Sequence, residues 1–149
     1  MIDLIERLKR DYPNIRFIPD SRARWSSSEQ TIYYTLDQFQ TLHELGHYLS
    51  GHSDFNQDIE LLHIEREAWN RAAQIAPHYG LNISIDLIED ALDSYREWLH
   101  ARSLCPRCNQ TGVQSSQDLS YTCPNCHCHW IANDGRSSSL RRYTQKEGR

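Results

Sequence analysis

The chain has 149 residues, 38% of them hydrophobic and 24% charged, with a formal net charge of −4. That size suits one compact domain plus a small module, and the acidic balance gives no global drive toward nucleic acid or membrane surfaces. No segment reaches the roughly 20 apolar residues of a bilayer span, and the amphipathic start Met1-Ile2-Asp3-Leu4-Ile5-Glu6 does not read as a signal peptide, so a cytoplasmic protein is expected.

Residues 2–11 read as a short amphipathic helix, with Ile2, Leu4, Ile5 and Leu8 on its apolar side and Pro13 stopping it. Ile15–Ile18 reads as a strand, Ser21–Gln30 as polar and irregular, and the β-branched and aromatic run Thr31–Tyr34 as a second strand. A helix is expected immediately afterwards. Thr35 and Gln38 have capping-box spacing at its start, Leu36, Phe39, Leu42, Leu45 and Leu49 form its stripe, and Gly51 suits a left-handed C-cap. Beyond the polar stretch Ser53–Asp58, a second long helix over residues 58–77 carries Leu61, Ile64, Ala68, Ala72, Ile75 and Ala76, and ends at Pro77 and Gly80. Ser84 caps a third helix with Ile85, Ile88, Ala91, Leu92, Tyr95 and Leu99 on one side. From Leu104 the composition turns to Cys, Pro, Asn, Gln and Ser, which sets a boundary near 103. The expected organisation is an α+β domain over 1–103, helix-rich with a short sheet, then a zinc ribbon over 104–132 and a flexible basic tail over 133–149.

The first chemical signal lies in the helix after the second strand: His43-Glu44-Leu45-Gly46-His47. At about 100° per residue, His43 and His47 project from one face one turn apart. Two imidazoles so placed can share one zinc ion, with Glu44 beside them as general base. Catalytic zinc usually takes three protein ligands, and the second long helix offers Glu60, His63, Glu65 and Glu67. With Leu61 at 0°, Ala68 falls at about 340°, Ala72 at about 20° and Glu65 at about 40°, whereas Glu60 and Glu67 fall near about 260° and 240°. An acid on a core-facing stripe is costly unless paired or metal-bound, so Glu65 is the expected third ligand. The alternatives are Glu67 as ligand in its place, or a Glu65 that reaches solvent or pairs with Arg24 or Arg66. The small Ala68 and Ala72 would let the two helices approach closely.

The run Thr41-Leu42-His43-Glu44-Leu45-Gly46-His47-Tyr48-Leu49-Ser50-Gly51-His52, followed by Glu65-Arg66-Glu67-Ala68, resembles the ImmA/IrrE metallopeptidases. The resemblance spans residues 15–80. It implies a gluzincin-like (zincin) fold, zinc held by His43, His47 and Glu65, Glu44 as the base, and cleavage of a specific helix-turn-helix repressor. Two departures stand out: Trp69 sits where that family often has Asp or Asn, and Ala72-Ala73 with Ala76-Pro77 replace its usual Phe-Ala and Leu-Leu-Met-Pro-like end. A metzincin would need Gly and His where this chain has Ser50 and Ser53, which leaves His52 as a helix-end residue or one that supports a ligand. A SprT-like protease, which also joins this motif to a zinc-binding C-terminal module, would take a His as third ligand, and His63 or His78 would have to serve. An oxyanion donor is sought among Tyr33, Tyr48 and Tyr79.

The second signal is the pair Cys105-Pro106-Arg107-Cys108 and Cys123-Pro124-Asn125-Cys126. Two matched Cys-x-x-Cys pairs at this spacing point to a structural tetrathiolate zinc site rather than to disulfides or a redox pair. Asn109 and His127 follow the second Cys of each pair and tolerate the left-handed backbone such turns need. Val113–Thr122 supplies a hairpin, with Tyr121 and Trp130 packing near the metal. Cys128 is a spare thiol, or a substitute for Cys126. The basic residues Arg136, Arg141, Arg142 and Lys146 are candidate contacts to nucleic acid or a protein partner. The competing expectation, from another class, is a non-catalytic adaptor that binds nucleic acid or protein through the ribbon and this basic end.

Overall fold

The computed structural model describes residues 2–136 and 139–145. The chain is α+β, with four helices and two small sheets among the described residues. In order come α1 (Ile2–Asp11), β1 (Arg16–Pro19), β2 (Arg24–Ser26), β3 (Thr31–Tyr34), α2 (Gln38–Leu49), α3 (Asp58–Ile75), a short 3-10 turn (Ala76–Tyr79), α4 (Ile85–Ser103), β4 (Val113–Gln114), β5 (Tyr121–Thr122), β6 (His129–Ala132) and β7 (Arg142–Gln145). Among the described residues, no helix is long and apolar enough to cross a membrane. Two compact units divide the chain: Met1–Asp54 with His63–Asp90, and Phe55–Leu62 with Ala91–Arg149. The division runs through α3 and α4, so the Cys-rich unit includes the first turn of α3 and most of α4.

In the first unit, a three-stranded sheet has the order β1-β3-β2. β1 runs parallel to β3 with Phe17 opposite Ile32, and both are buried. β2 runs antiparallel to β3 along its other edge. This strand falls inside the segment expected to be irregular. It is three residues long and half-exposed, too short to show alternation.

α2 begins later than the Thr35–Gln38 spacing suggests. Asp37 is its N-cap, and its carboxylate accepts the Phe39 and Gln40 N–H groups at 2.9 and 3.2 Å. Thr35 instead accepts the Asp37 N–H. Leu36 therefore lies outside the helix and is 87% exposed rather than part of the stripe. Every residue from Thr41 to His47 is buried, so the helix is enclosed on all sides through the motif. Ser84 caps α4 as expected, accepting the Leu87 N–H at 3.1 Å. Ile85, expected on the apolar side of α4, is exposed.

The second unit carries the antiparallel sheet β4-β5-β6-β7. β7 lies in the stretch expected to be a flexible tail and pairs with β6 over four positions. The core is small: Cys105, Tyr121, Cys123, Cys128 and Trp130, with the Tyr121 and Trp130 rings stacked at 5.4 Å. A buried ion pair ties helix to sheet within this unit. Asp58 Oδ2 accepts Arg102 Nε at 2.9 Å and the Tyr121 hydroxyl at 2.6 Å. Arg102 also donates to the carbonyls of Asn133 and Asp134 and lies over the Trp98 ring. Asp58→Ala is expected to destabilise this unit by about 3–5 kcal/mol, since it strands a buried guanidinium. Asp58→Leu with Arg102→Met should cost less than Asp58→Ala alone. Urea titration followed by near-UV circular dichroism tests this, and a double variant that loses more than the single one would contradict it.

Candidate metal centres

The first cluster is built by two helices of the first unit. One turn of α2 separates His43 from His47, so their Nε2 atoms face each other at 3.1 Å. α3 brings in Glu65: Oε2 lies 2.7 Å from His43 Nε2, and Oε1 lies 3.3 Å from His47 Nε2. All three residues are buried, and their candidate ligand atoms lie within 4.8 Å of one another. Tetrahedral zinc with N and O ligands at about 2.0–2.1 Å sets neighbouring ligand atoms about 3.3 Å apart, close to the separations found. Glu65 Oε2 makes no aligned hydrogen bond despite its near approach to His43. Three buried ligand atoms gathered this closely are what a shared cation requires, so the residues fit a zinc ion.

The electrostatics agree with that fit. Burial alone would raise the Glu65 carboxyl, but the adjacent imidazoles of His43 and His47 override it and hold it down to about 2. Burial pulls His47 the other way from Glu65, and the carboxylate wins, so His47 is raised. The cluster thus keeps an ionised carboxylate in a buried place and attracts positive charge.

Glu44 follows His43 on α2 and is buried. Burial raises its carboxyl above the ordinary range, against the lowering effects of His43, His47 and a hydrogen bond from the Trp25 backbone. His52 backs the cluster from behind. Its Nδ1 lies 3.0 Å from His47 Nδ1, and its Nε2 lies 3.3 Å from Glu67 Oε2. Such a partner fixes the tautomer and ring orientation of a ligating histidine. Glu67 is largely exposed and meets His52 rather than the cluster.

Two further supports carry no motif signal. Trp69 stacks on the His43 ring at 4.3 Å with an interplanar angle of 24°. Gly46 lies against the backbone of Ala68, where an added Cβ would come within 2.1 Å of the carbonyl oxygen. The small Ala68 and Ala72, both buried, sit where close helix approach was expected.

His63 is exposed, and His78 is exposed and faces Asp11, so neither joins this cluster. Of the tyrosines considered as oxyanion donors, Tyr33 donates to Glu29 and Tyr79 to Asp11, while Tyr48 packs against Tyr12 and Trp25.

The second cluster is in the other unit. Cys105, Cys108, Cys123 and Cys126 converge, with Sγ–Sγ separations of 3.5 Å (Cys105–Cys126) and 3.4 Å (Cys108–Cys123). A disulfide needs about 2.05 Å, whereas thiolates about 2.3 Å from one zinc sit about 3.8 Å apart. The two knuckles repeat the same backbone bonds. Asn109 N–H reaches Cys105 O at 2.9 Å, and His127 N–H reaches Cys123 O at 3.0 Å. Asn109 and His127 are left-handed, at φ 62° and 63°. Amide groups of Arg107 and Cys126 donate to the Cys105 and Cys123 sulfurs, which favours thiolates. Cys128 is buried outside this group, and its thiol points to the His129 carbonyl, so Cys126 holds the fourth position.

The basic residues at the C-terminal end do not form one free surface. Arg142 donates to the Leu104 carbonyl, and Arg136 lies over the Tyr95 ring and donates to its hydroxyl. Arg141 is exposed, and Lys146 lies outside the described residues. No family model, curated protein or solved structure matches the chain.

Proposed function

We propose that the chain is a zinc-dependent endopeptidase of the ImmA/IrrE type, with a second, structural zinc in a C-terminal ribbon. The observation that carries the reading is the convergence of His43, His47 and Glu65 beside a buried Glu44. His43, His47 and Glu65 would hold the catalytic ion, and Cys105, Cys108, Cys123 and Cys126 the structural one. Zinc at the first site would supply Lewis-acid polarisation of the scissile carbonyl and make water ionisable near neutral pH.

The chain's own residues do the rest. Glu44 removes a proton from the attacking water and returns it to the departing amine. Its raised carboxyl suits both halves of that task, because a stronger base holds the proton better in transit. The buried setting strengthens each of these interactions relative to water. The substrate class that the motif resemblance suggests is a helix-turn-helix repressor.

Wild-type protein should carry about two zinc ions per chain, as a Cys₄ site and a catalytic site each take one. His43→Ala and Glu65→Ala should each retain only the ribbon zinc. Glu44→Gln should keep both ions and lose at least about 100-fold in cleavage of a repressor substrate. Elemental mass spectrometry and a gel assay against candidate repressors read the two outcomes. Undiminished cleavage by Glu44→Gln would remove it as the base.

A further inference from the structure

We infer that Trp69 is a positioning residue for the first metal site, holding the His43 ring by stacking in place of a hydrogen bond. The inference rests on the proposed zinc site. A ligating histidine normally donates its distal ring N–H to a carboxylate, carbonyl or water, which fixes the ring plane and raises its basicity. The two histidines here differ in this respect. His47 has His52 at its Nδ1, at 3.0 Å, with Glu67 beyond. His43 Nδ1 is buried and has no hydrogen-bond partner. With a zinc ion on Nε2, Nδ1 would carry the proton of the neutral ring, and no hydrogen-bond acceptor meets it there.

What His43 has instead is an aromatic plate. Trp69 is 2% exposed and lies nearly parallel to the imidazole, with centroids 4.3 Å apart. Trp69 follows Glu65 by four residues on α3, so the two project from one face of that helix. One helix face thus supplies both the carboxylate that meets His43 Nε2 and the ring that sets its plane. A histidine held this way resists tilting but gains no basicity from a hydrogen-bonded partner. The metal affinity of this site therefore depends on the flatness and position of the indole.

The test is metal affinity by competition with a chelator, on full-length protein whose ribbon remains loaded. Trp69→Phe keeps a stacking ring and should bind zinc within about threefold of wild type. Trp69→Leu keeps apolar bulk without the ring and should lose about 10–100-fold, the range typical for removing a ligand's support. In nitrogen-15 spectra, the His43 side-chain resonances should lose their ring-current displacement in Trp69→Leu and keep much of it in Trp69→Phe. Equal zinc affinity for Trp69→Leu and wild type would reduce Trp69 to core packing and overturn the proposal alone. A wild type that holds only the ribbon zinc would overturn the metal-site reading and this proposal together. If Trp69→Leu unfolds the first unit, Trp69→Phe decides: a folded Phe variant with affinity down by tenfold or more contradicts the role of stacking.

Discussion

Cys123→Ser should unfold the Cys-rich segment and take one zinc with it, while leaving the first unit and its metal in place. Residues 104–132 are expected to be unable to fold on apolar burial alone. Ordering the chain costs about 1–2 kcal/mol per residue, and each large buried aromatic returns about 3 kcal/mol. The core holds only two such rings, Tyr121 and Trp130, and its other buried members are Cys105, Cys123 and Cys128. Structural zinc in comparable small modules contributes about 10–16 kcal/mol at neutral pH, more than both rings together. Cys123 is fully buried, 3.4 Å from Cys108, and its sulfur accepts the Cys126 amide. Serine removes the soft thiolate and leaves a hydroxyl among sulfurs. Zinc content should fall by one ion per chain, and amide exchange across β4–β6 should approach that of a free chain. Amides of α2 should remain protected, because that helix belongs to the other unit. Retention of both zinc ions, or of exchange protection across β5 and β6, would show that the segment folds without its metal.

The parts of this molecule that could be read from the sequence are those whose cause is local. His43 and His47 share a face because a helix has 3.6 residues per turn, and that holds wherever the helix is placed. Glu65 was legible by the same periodicity, since a carboxylate that falls among Leu61, Ala68 and Ala72 demands an explanation. The cysteine knuckles were legible from spacing, down to the left-handed Asn109 and His127. What escaped depends on partners far along the chain. β2 exists because β3 offers it an edge, and β7 because β6 does. Asp58 reads as a helix-start acid, and nothing near it in sequence announces Arg102, 44 residues away. The cap at Asp37 was missed for a subtler reason: Thr35 and Gln38 match a known spacing, but the carboxylate two residues later reaches two amides rather than one. Trp69 and Gly46 have meaning only through the ring and the carbonyl that face them.

Gly46→Ala should cost the chain its first metal site although it adds a single methyl group. In an ordinary helix the change favours folding by about 1 kcal/mol, because glycine is the more flexible residue. Here the new Cβ would stand 2.1 Å from the Ala68 carbonyl oxygen and 2.9 Å from its carbon, whereas carbon–oxygen contacts settle near about 3.3 Å. The obstacle is backbone, so no rotamer change relieves it, and α2 and α3 must separate by about 1 Å at their closest point. Overpacking of this kind costs about 1–3 kcal/mol, and the upper end applies where both sides are main chain, so destabilisation wins over propensity. The larger effect falls on the metal. Gly46 lies between His43 and His47, and Ala68 one turn after Glu65, so the same displacement draws the carboxylate away from both imidazoles. Gly46→Ala should therefore retain the ribbon zinc and lose the other, with thermal stability reduced. Ala68→Gly should not rescue it, because the colliding oxygen belongs to the peptide group and survives the change. A Gly46→Ala protein with two zinc ions and undiminished stability would show that the helices can part without cost, and that Glu65 does not depend on this contact for its place.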